Sequence, residues 1–361
     1  MKKRKKINIF IIITIWTLTA LFNIAAWIST SFSDFYVTNI FPYLSAFYGR
    51  ITSAASFSVG EVMLVMVVIY VAFALVFDIF HGIYFLYKVT PILLTITIVL
   101  MSLNCFVLYH TSKLTIAGAE TTREYTISDL AELRDYVVEK CNALSEEVPH
   151  DENGNVMYEG NMKETAINSM RSLSEDYPRL GGFYVTPKAL YFSDFMSQQY
   201  MQGYYFPFSM EANYNDVMNL THKPFTMCHE LAHTHGYIYE DEANFFGFLA
   251  CISSDDIVFQ YSGWLGVLNY INNDFYNSVD KVEYSSHVKI SDRVKYDNEF
   301  LSQEAWDKVE ESAIISTETV KKAADTFIDT NLKVNGVSEG KASYSNVVGL
   351  IMDYYYNVMI G

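Results

Sequence analysis

Three residues in the middle of the chain have the types and the spacing of a catalytic metal site. His229, Glu230 and His233 stand in the order His-Glu-x-x-His. On a helix, residues four positions apart lie about 40° apart on one face, so both imidazoles can bind one ion. Glu230 lies at the edge of that face, where its carboxylate can reach a metal-bound water. The pattern predicts a zinc site (Zn2+) with Glu230 as the general base of a hydrolase.

A catalytic zinc site also needs a third protein ligand. Gly236 can end the motif helix, and an acidic cluster follows it. Glu240 is the first candidate for the ligand, with Asn244 one turn later to accept a hydrogen bond from a histidine N–H. Glu242 is the reserve candidate close to the site. Only six residues separate His233 from Glu240, so this prediction requires a tight turn.

Four other polar residues near the motif have weaker assignments. Tyr261 is a candidate donor to the oxyanion of a tetrahedral intermediate, although most tyrosines in a chain with 28 of them serve packing. Glu211 and Asn213 are candidate substrate-binding residues, because their strand could bind an extended peptide at a sheet edge. A turn capped by Asn213 is the alternative. His235 points away from the motif face and is interpreted as a solvated or turn residue.

The elements that must position these residues are mostly helical. Residues 111–361 are enough for one sizeable core. A helix is predicted from Ser128 as its cap, and Pro224 suits the first turn of the motif helix. Residues 181–196 and 203–216, rich in aromatic and β-branched side chains, predict strands or a hairpin. The predicted fold is a membrane α-helical anchor joined to an α+β, mostly helical, zincin-like globular domain.

Residues 1–110 carry the features of a membrane region. Uncharged apolar runs predict three transmembrane helices, at about 7–29, 62–80 and 90–109. Residues 31–60 are apolar and aromatic but interrupted by Asp34, Pro42 and Arg50, which favours an interfacial segment over a span.

The distribution of cations predicts the orientation of these spans. Five cations at positions 2–6 favour a cytoplasmic N-terminus, with a cleaved signal peptide as the alternative. Three spans then place 111–361 outside the cytoplasm, whereas a fourth span would place it inside.

Charge excludes one class of function. The first 110 residues hold seven of the 25 Lys/Arg and three of the 41 Asp/Glu, which leaves 18 and 38 for the remainder, a net charge near −20. Nucleic-acid binding requires a basic surface, so no nucleic-acid partner is expected. The four cysteines form no C-x-x-C pair and indicate no disulfide framework.

Several motifs together resemble one bacterial membrane-protein family. They are "FSVGE" before the second span, "PFSMEAN", "CHELAH", "EDEANFFGFLAC" and "YSG". The chain resembles the domain-of-unknown-function family 3810, whose members are regarded as zinc peptidases without an established substrate. The pairing of "HELAH" with "EDEAN" also resembles the gluzincin arrangement, which implies Glu240 as third ligand, although most gluzincins have the acidic motif much further downstream. The metzincin pattern would put its ligand at Tyr239, a poor replacement.

These observations predict a membrane-anchored zinc metallopeptidase in a bacterial cell membrane. Its partners would be a peptide or protein substrate at the membrane surface and the lipid bilayer. The alternative is a non-catalytic zinc-binding sensor or scaffold. A third interpretation is a helix that carries polar residues and no metal.

Overall fold

The computed structural model describes residues 2–119, 124–340 and 346–361, with side chains from residue 10 onward. The described chain is mostly helical, as predicted, with one small sheet. The first part contains α1 (Lys2–Ile28), α2 (Thr30–Asn39), α3 (Phe41–Thr52), α4 (Val59–His81), α5 (Tyr84–Lys88) and α6 (Thr90–Asn104). The remainder contains α7 (Ile127–Glu147), α8 (Met162–Ser172), β1 (Lys188–Ala189), α9 (Ser193–Gln198), β2 (Gly203–Phe206), β3 (Glu211–Tyr214), α10 (Lys223–Thr234), α11 (Glu240–Ile252), α12 (Ile257–Ser278), α13 (Lys281–Ser286), α14 (Asp292–Asp297), α15 (Gln303–Ser312), α16 (Thr317–Val334) and α17 (Val347–Tyr354).

Three segments of the described chain form helical runs long and apolar enough to cross a membrane. We name Phe10–Ile28, Val59–His81 and Thr90–His110 the candidate spans. They coincide with the three predicted transmembrane segments. The region between the first two forms α2 and α3, which at ten and twelve residues are too short to cross a bilayer. The chain is therefore consistent with membrane association through three helices.

Local sequence signals explain where the main helices begin. Pro224 lies in the first turn of α10, as expected of a residue that lacks an N–H donor. The helix predicted from Ser128 begins at Ile127, and its cap is Thr126, not Ser128. Thr126 and Asp129 form a reciprocal capping box, which satisfies two amide groups at once.

The sheet has the order β1-β3-β2, with β1 parallel and β2 antiparallel to β3. The predicted hairpin in 203–216 is confirmed by β2 and β3. The strand prediction for 181–196 is wrong for most of its length, because only Lys188 and Ala189 pair with β3 and α9 begins at Ser193. Its aromatic residues Tyr191 and Phe195 remain exposed and do not pack on a sheet face.

Two hydrophobic cores hold the described part of the chain together. The larger core packs α7, α10, α11, α12 and α17 against one another. The smaller one joins residues from both sides of position 110, among them Phe41, Cys105, Tyr205, Ile238 and Leu332. The predicted boundary at 110 therefore does not divide the protein into two separate cores.

Candidate metal centre

Three side chains converge at the junction of α10 and α11. Nε2 of His229 lies 3.1 Å from Nε2 of His233. Oε2 of Glu240 lies 3.3 Å from the first nitrogen and 3.7 Å from the second. The two histidines are one turn apart on α10, and Glu240 is the first residue of α11. These residues form a group that could hold a metal ion.

A Schellman motif makes the short connection between the two helices possible. Gly236 has a φ of 85°, in the left-handed region. The N–H of Tyr237 donates to the carbonyl of Ala232 (3.2 Å), and that of Gly236 to the carbonyl of His233 (3.0 Å). A side chain at position 236 would also collide with Val37, since a Cβ there would lie 2.5 Å from its Cγ2. Six intervening residues are thus enough to return Glu240 to the motif helix.

The spacing of the three ligand atoms fits tetrahedral zinc. Bonds of about 2.0–2.2 Å at the tetrahedral angle place two ligand atoms about 3.3–3.6 Å apart. The observed separations of 3.1, 3.3 and 3.7 Å bracket that value. Nδ1 of His233 donates to the carbonyl of Tyr237 (2.7 Å), which leaves the lone pair of Nε2 directed at the cluster. The donor set and its geometry therefore fit a zinc ion.

Electrostatics at the cluster favour a bound positive charge. Burial opposes protonation of His233, but the hydrogen bond and the charge of Glu240 outweigh it and raise the pKa of His233 to about 9. Burial likewise opposes ionisation of Glu240, yet its hydrogen bonds to both histidines hold its pKa well below the usual range. Burial lowers the pKa of His229. The carboxylate of Glu240 therefore favours a positive charge beside the two histidines.

Glu230 lies beside the cluster without taking part in it. Burial is the largest cause that raises the pKa of Glu230 to about 8. Its Oε2 is buried without a hydrogen-bond partner among the described residues. A Cβ on Gly203 would lie 2.4 Å from Oε1 of Glu230, so only glycine lets strand β2 pass this close. The carboxylate is held between α10 and β2, with one oxygen free for chemistry.

A cavity of about 530 Å³ opens onto these residues. His229, Glu230, His233 and Glu240 all line it. Its other walls come from β2, from α12, from the C-terminal half of α16 and from the end of the third candidate span. A cavity of this size suits a small molecule or a short stretch of polypeptide.

Comparison with known proteins assigns the chain to a family. The model of a family described as "Protein of unknown function (DUF3810)" matches residues 36–352, most of the chain. The chain belongs to this family. No curated protein and no solved structure matches it. The match covers two of the three candidate spans of this DUF3810 protein as well as the whole cluster, so the family relationship predicted from the motifs is confirmed.

The structure distinguishes between the two acidic candidates for the third ligand. Glu240 joins the histidines, whereas Glu242 turns the other way. Oε1 of Glu242 accepts the backbone N–H of Leu114 at 2.8 Å, and burial raises the pKa of Glu242 to about 7. Glu242 therefore binds the backbone at Leu114, just after the third candidate span, and does not contact the cluster.

Asn244 lies within the cavity of the DUF3810 protein, close to the first histidine. It is one of the groups that raise the pKa of His229. Nδ1 of His229 and Nδ2 of Asn244 are both buried without a partner in the described part of the chain. Because the two ends of a carboxamide are assigned and not observed, a rotated Asn244 amide can accept from that Nδ1–H. This is the contact expected of Asn244 from the sequence.

Tyr261 is placed away from the cavity. It is fully buried, and its hydroxyl donates to Oδ2 of Asp297 at 2.9 Å. Its predicted role at the oxyanion therefore receives no support from its position. Five other tyrosines line the cavity instead, among them Tyr204 and Tyr270. The sequence offered no signal to select these two among 28 tyrosines.

Glu211 and Asn213 are buried in the sheet and do not line the cavity, contrary to their assignment as substrate-binding residues. The reason is that β3 is the central strand, so the open edge belongs to β2. Asn213 donates to the carbonyl of Tyr204 at 3.2 Å. Glu211 forms a buried ion pair with Lys188 at 2.6 Å.

The Glu211 carboxylate also binds the start of α4. It accepts the N–H groups of Val59 (3.0 Å) and Gly60 (2.7 Å). Lys188 was not expected at any site, since its partners lie far from it in the chain. The pair thus joins the sheet to a candidate span.

His235 lies in the turn that follows α10, as one of its two predicted alternatives had it, but it is buried and not solvated. Its ring lies 4.0 Å from that of Tyr184, and burial lowers the pKa of His235 to about 4. It is the buried C-cap residue of α10.

Proposed function

We propose that the chain is a membrane-anchored zinc metallopeptidase of gluzincin-like arrangement, with a zincin-like domain. One observation carries the proposal. The ligand atoms of His229, His233 and Glu240 lie 3.1–3.7 Å apart, on the floor of a cavity that also contains the carboxylate of Glu230. This combination of two histidines, one carboxylate and an adjacent unpaired carboxylate is the donor set of a hydrolytic zinc site.

The chemical role proposed for each residue follows from the position of its side chain. A zinc ion bound here would supply Lewis acidity and lower the pKa of a water molecule to about 7. Glu230 accepts the proton of the attacking water and passes it to the leaving amine. Its buried position, and its pKa of about 8 in the metal-free protein, suit a group that must gain and lose a proton near neutral pH. Asn244 orients His229.

The open edge of β2 supports a polypeptide as substrate. Within the described residues β2 pairs with β3 on one side only. The N–H of Asn215 donates to the carbonyl of Gln202 at 2.7 Å, so the alternation of an antiparallel ladder turns the backbone groups of Gly203 and Tyr205 to the open side. An extended peptide can pair there by β-augmentation, beside Glu230.

The proposed location is a bacterial cell membrane. The candidate spans would make the protein multi-pass, and the cations at positions 2–6 support a cytoplasmic N-terminus. The metal centre would then face the extracytoplasmic side. The strongly acidic composition after residue 110 supports the absence of a nucleic-acid partner.

The test combines metal analysis with hydrolysis by the full chain in detergent. We expect one zinc per chain and cleavage of members of a mixed peptide library, read by mass spectrometry. Glu230→Gln should keep the zinc and abolish cleavage, whereas the control Glu242→Gln should keep both. Stoichiometric zinc without cleavage of any peptide would favour the sensor or scaffold. Absence of zinc from the wild type, or full activity of Glu230→Gln, would contradict the proposal.

A further inference from the structure

Helices of two candidate spans, the start of α4 and the end of α6, contact the strand that borders the metal centre. At the start of α4, a Cβ on Gly60 would lie 2.7 Å from the ring of Phe206, the last residue of β2. At the end of α6, Nδ2 of Asn104 donates to the carbonyl of Pro207, the next residue, at 2.6 Å. The hydroxyl of Tyr205 donates to the carbonyl of Asn104. Because neighbouring residues of one turn bind both helices, the start of α4 and the end of α6 lie at the same level.

The cavity reaches that level. Met101 and Cys105, on the last turn of α6 and just after it, line the cavity together with the metal-binding residues. The opposite wall includes Ile328 and Leu332 of α16. The metal centre therefore lies next to the ends of the spans and not at the far side of the domain.

The end of α16 also lies near the end of a candidate span. Gly336, two residues after α16, approaches Trp27, and a Cβ on it would lie 3.6 Å from that ring. Trp27 is the penultimate residue of the first candidate span and is 59% exposed. Tryptophan is enriched at the membrane–water interface. All three spans thus end beside the walls of the cavity.

Exposed apolar side chains continue from the spans around the domain. The backbone N–H groups of Tyr191 and Phe192 donate to Glu61 in the first turn of α4. Tyr191 is 87% exposed and Ile314 fully exposed. Nε2 of Gln198 on α9 donates to the carbonyl of Ile315, which brings these two apolar segments together. Since they adjoin a candidate span, lipid is the environment that suits them.

Strand β2 would orient a bound peptide relative to the ends of the candidate spans. Its Phe206 end contacts the spans, and its Gly203 end lies against Glu230. The three residue steps between them cover about 10 Å. An extended chain paired with the open edge would reach Glu230 within a few residues of the membrane surface.

We propose that the substrate is a membrane-anchored polypeptide, cleaved about three to six residues outside its own transmembrane segment. This inference rests on the proposed peptidase function and adds the class of substrate. The spans place the cavity at the lipid surface, and the open edge of β2 binds the segment that emerges from the bilayer. The distance from the membrane, more than a sequence motif, selects the bond that is cut.

The test uses the full chain in liposomes with a pool of synthetic single-span polypeptides. Each has an apolar span of about 20 residues followed by twelve randomised residues, and a second pool carries the randomised residues alone. Mass spectrometry locates the cuts made by the zinc-loaded protein. In parallel, a photo-crosslinking amino acid replaces Tyr204 in the Glu230→Gln variant, and the crosslinked substrate positions are mapped without hydrolysis.

We expect cuts and crosslinks three to six residues from the span, and at least tenfold less reaction with the unanchored pool. Crosslinks at that distance without any cleavage would support the substrate class and contradict the peptidase. Cleavage of both pools at equal rates, or at positions unrelated to the span, would overturn this inference and leave the peptidase standing. Crosslinking only to an added lipid-linked muropeptide would also overturn it. The absence of both cuts and crosslinks would overturn both proposals.

Discussion

Removal of one partner from the buried pair of Lys188 and Glu211 should destabilise the protein strongly. The two side chains are 3% and 2% exposed and lie 2.6 Å apart. The Glu211 carboxylate also accepts the N–H groups of Val59 and Gly60 at the start of α4. Glu211→Ala would leave a buried ammonium group without its counter-ion and two amides of a candidate span without their acceptor.

The magnitude follows from these contacts. Breaking a buried ion pair by removal of one partner costs about 3–5 kcal/mol, and loss of an acceptor at a helix N-terminus costs about 1 kcal/mol. The sum is about 4–6 kcal/mol. In large domains 1 kcal/mol corresponds to about 2 °C in Tm, so Glu211→Ala should lower Tm by about 8–12 °C.

The assay is thermal unfolding of the full chain in detergent, followed by circular dichroism. Glu304→Ala is the matched control, because Glu304 forms an exposed pair with Lys308 and its loss should not shift Tm measurably. The double variant Lys188→Met/Glu211→Leu should recover part of the loss, since it leaves no unpaired charge. A Tm for Glu211→Ala within 2 °C of the wild type would refute the reasoning that the pair is buried and joins span and sheet.

Three further predictions concern single residues. Glu240→Ala should weaken zinc binding at least about 100-fold in competition with a chelator, whereas Glu242→Ala should not; equal losses would contradict the assignment of the third ligand. Tyr261→Phe should lower the free energy of unfolding by about 1.5–3 kcal/mol through loss of its hydrogen bond to Asp297 and leave kcat unchanged; a large fall in kcat at unchanged stability would restore its predicted role at the oxyanion. The pKa of His235 is about 4 in the folded protein and about 6.5 unfolded, so its contribution to stability is present above pH 6.5 and is lost as the pH falls toward 4. His235→Phe should therefore reduce the loss of stability between pH 7 and pH 5 by about 2 kcal/mol in urea titrations, and equal losses in both proteins would exclude His235 as the source.

The geometry of the cluster was accessible from the sequence because it depends on local structure. Two histidines one turn apart need only a helix, and Pro224 and Gly236 mark its start and its end. The choice between Glu240 and Glu242 needed the structure, since the direction of α11 after the turn depends on packing against the rest of the domain.

The remaining functional residues depend on contacts between distant parts of the chain. Lys188 and Glu211 are 23 positions apart, and the amides of α4 that donate to Glu211 precede it by about 150 positions. Glu211 was expected to line a cleft because its strand could form the sheet edge at which an extended peptide binds. The order of the three strands contradicts this expectation, because β3, which carries Glu211, is the central strand and β2 is an edge strand. No local pattern in the sequence encodes that order.

The contacts between the end of α6 and the metal centre have a consequence for biosynthesis. Tyr239, which directly precedes Glu240, donates its hydroxyl to the carbonyl of Tyr109. Tyr205, whose ring lies 5.8 Å from that of His233, bonds to the carbonyl of Asn104. In the proposed topology, a nascent chain can complete these contacts only after its third span has been inserted and the following segment has been translocated. We therefore expect the proposed peptidase site to form only at its destination, which would protect the ribosome and the translocation machinery from a prematurely active enzyme.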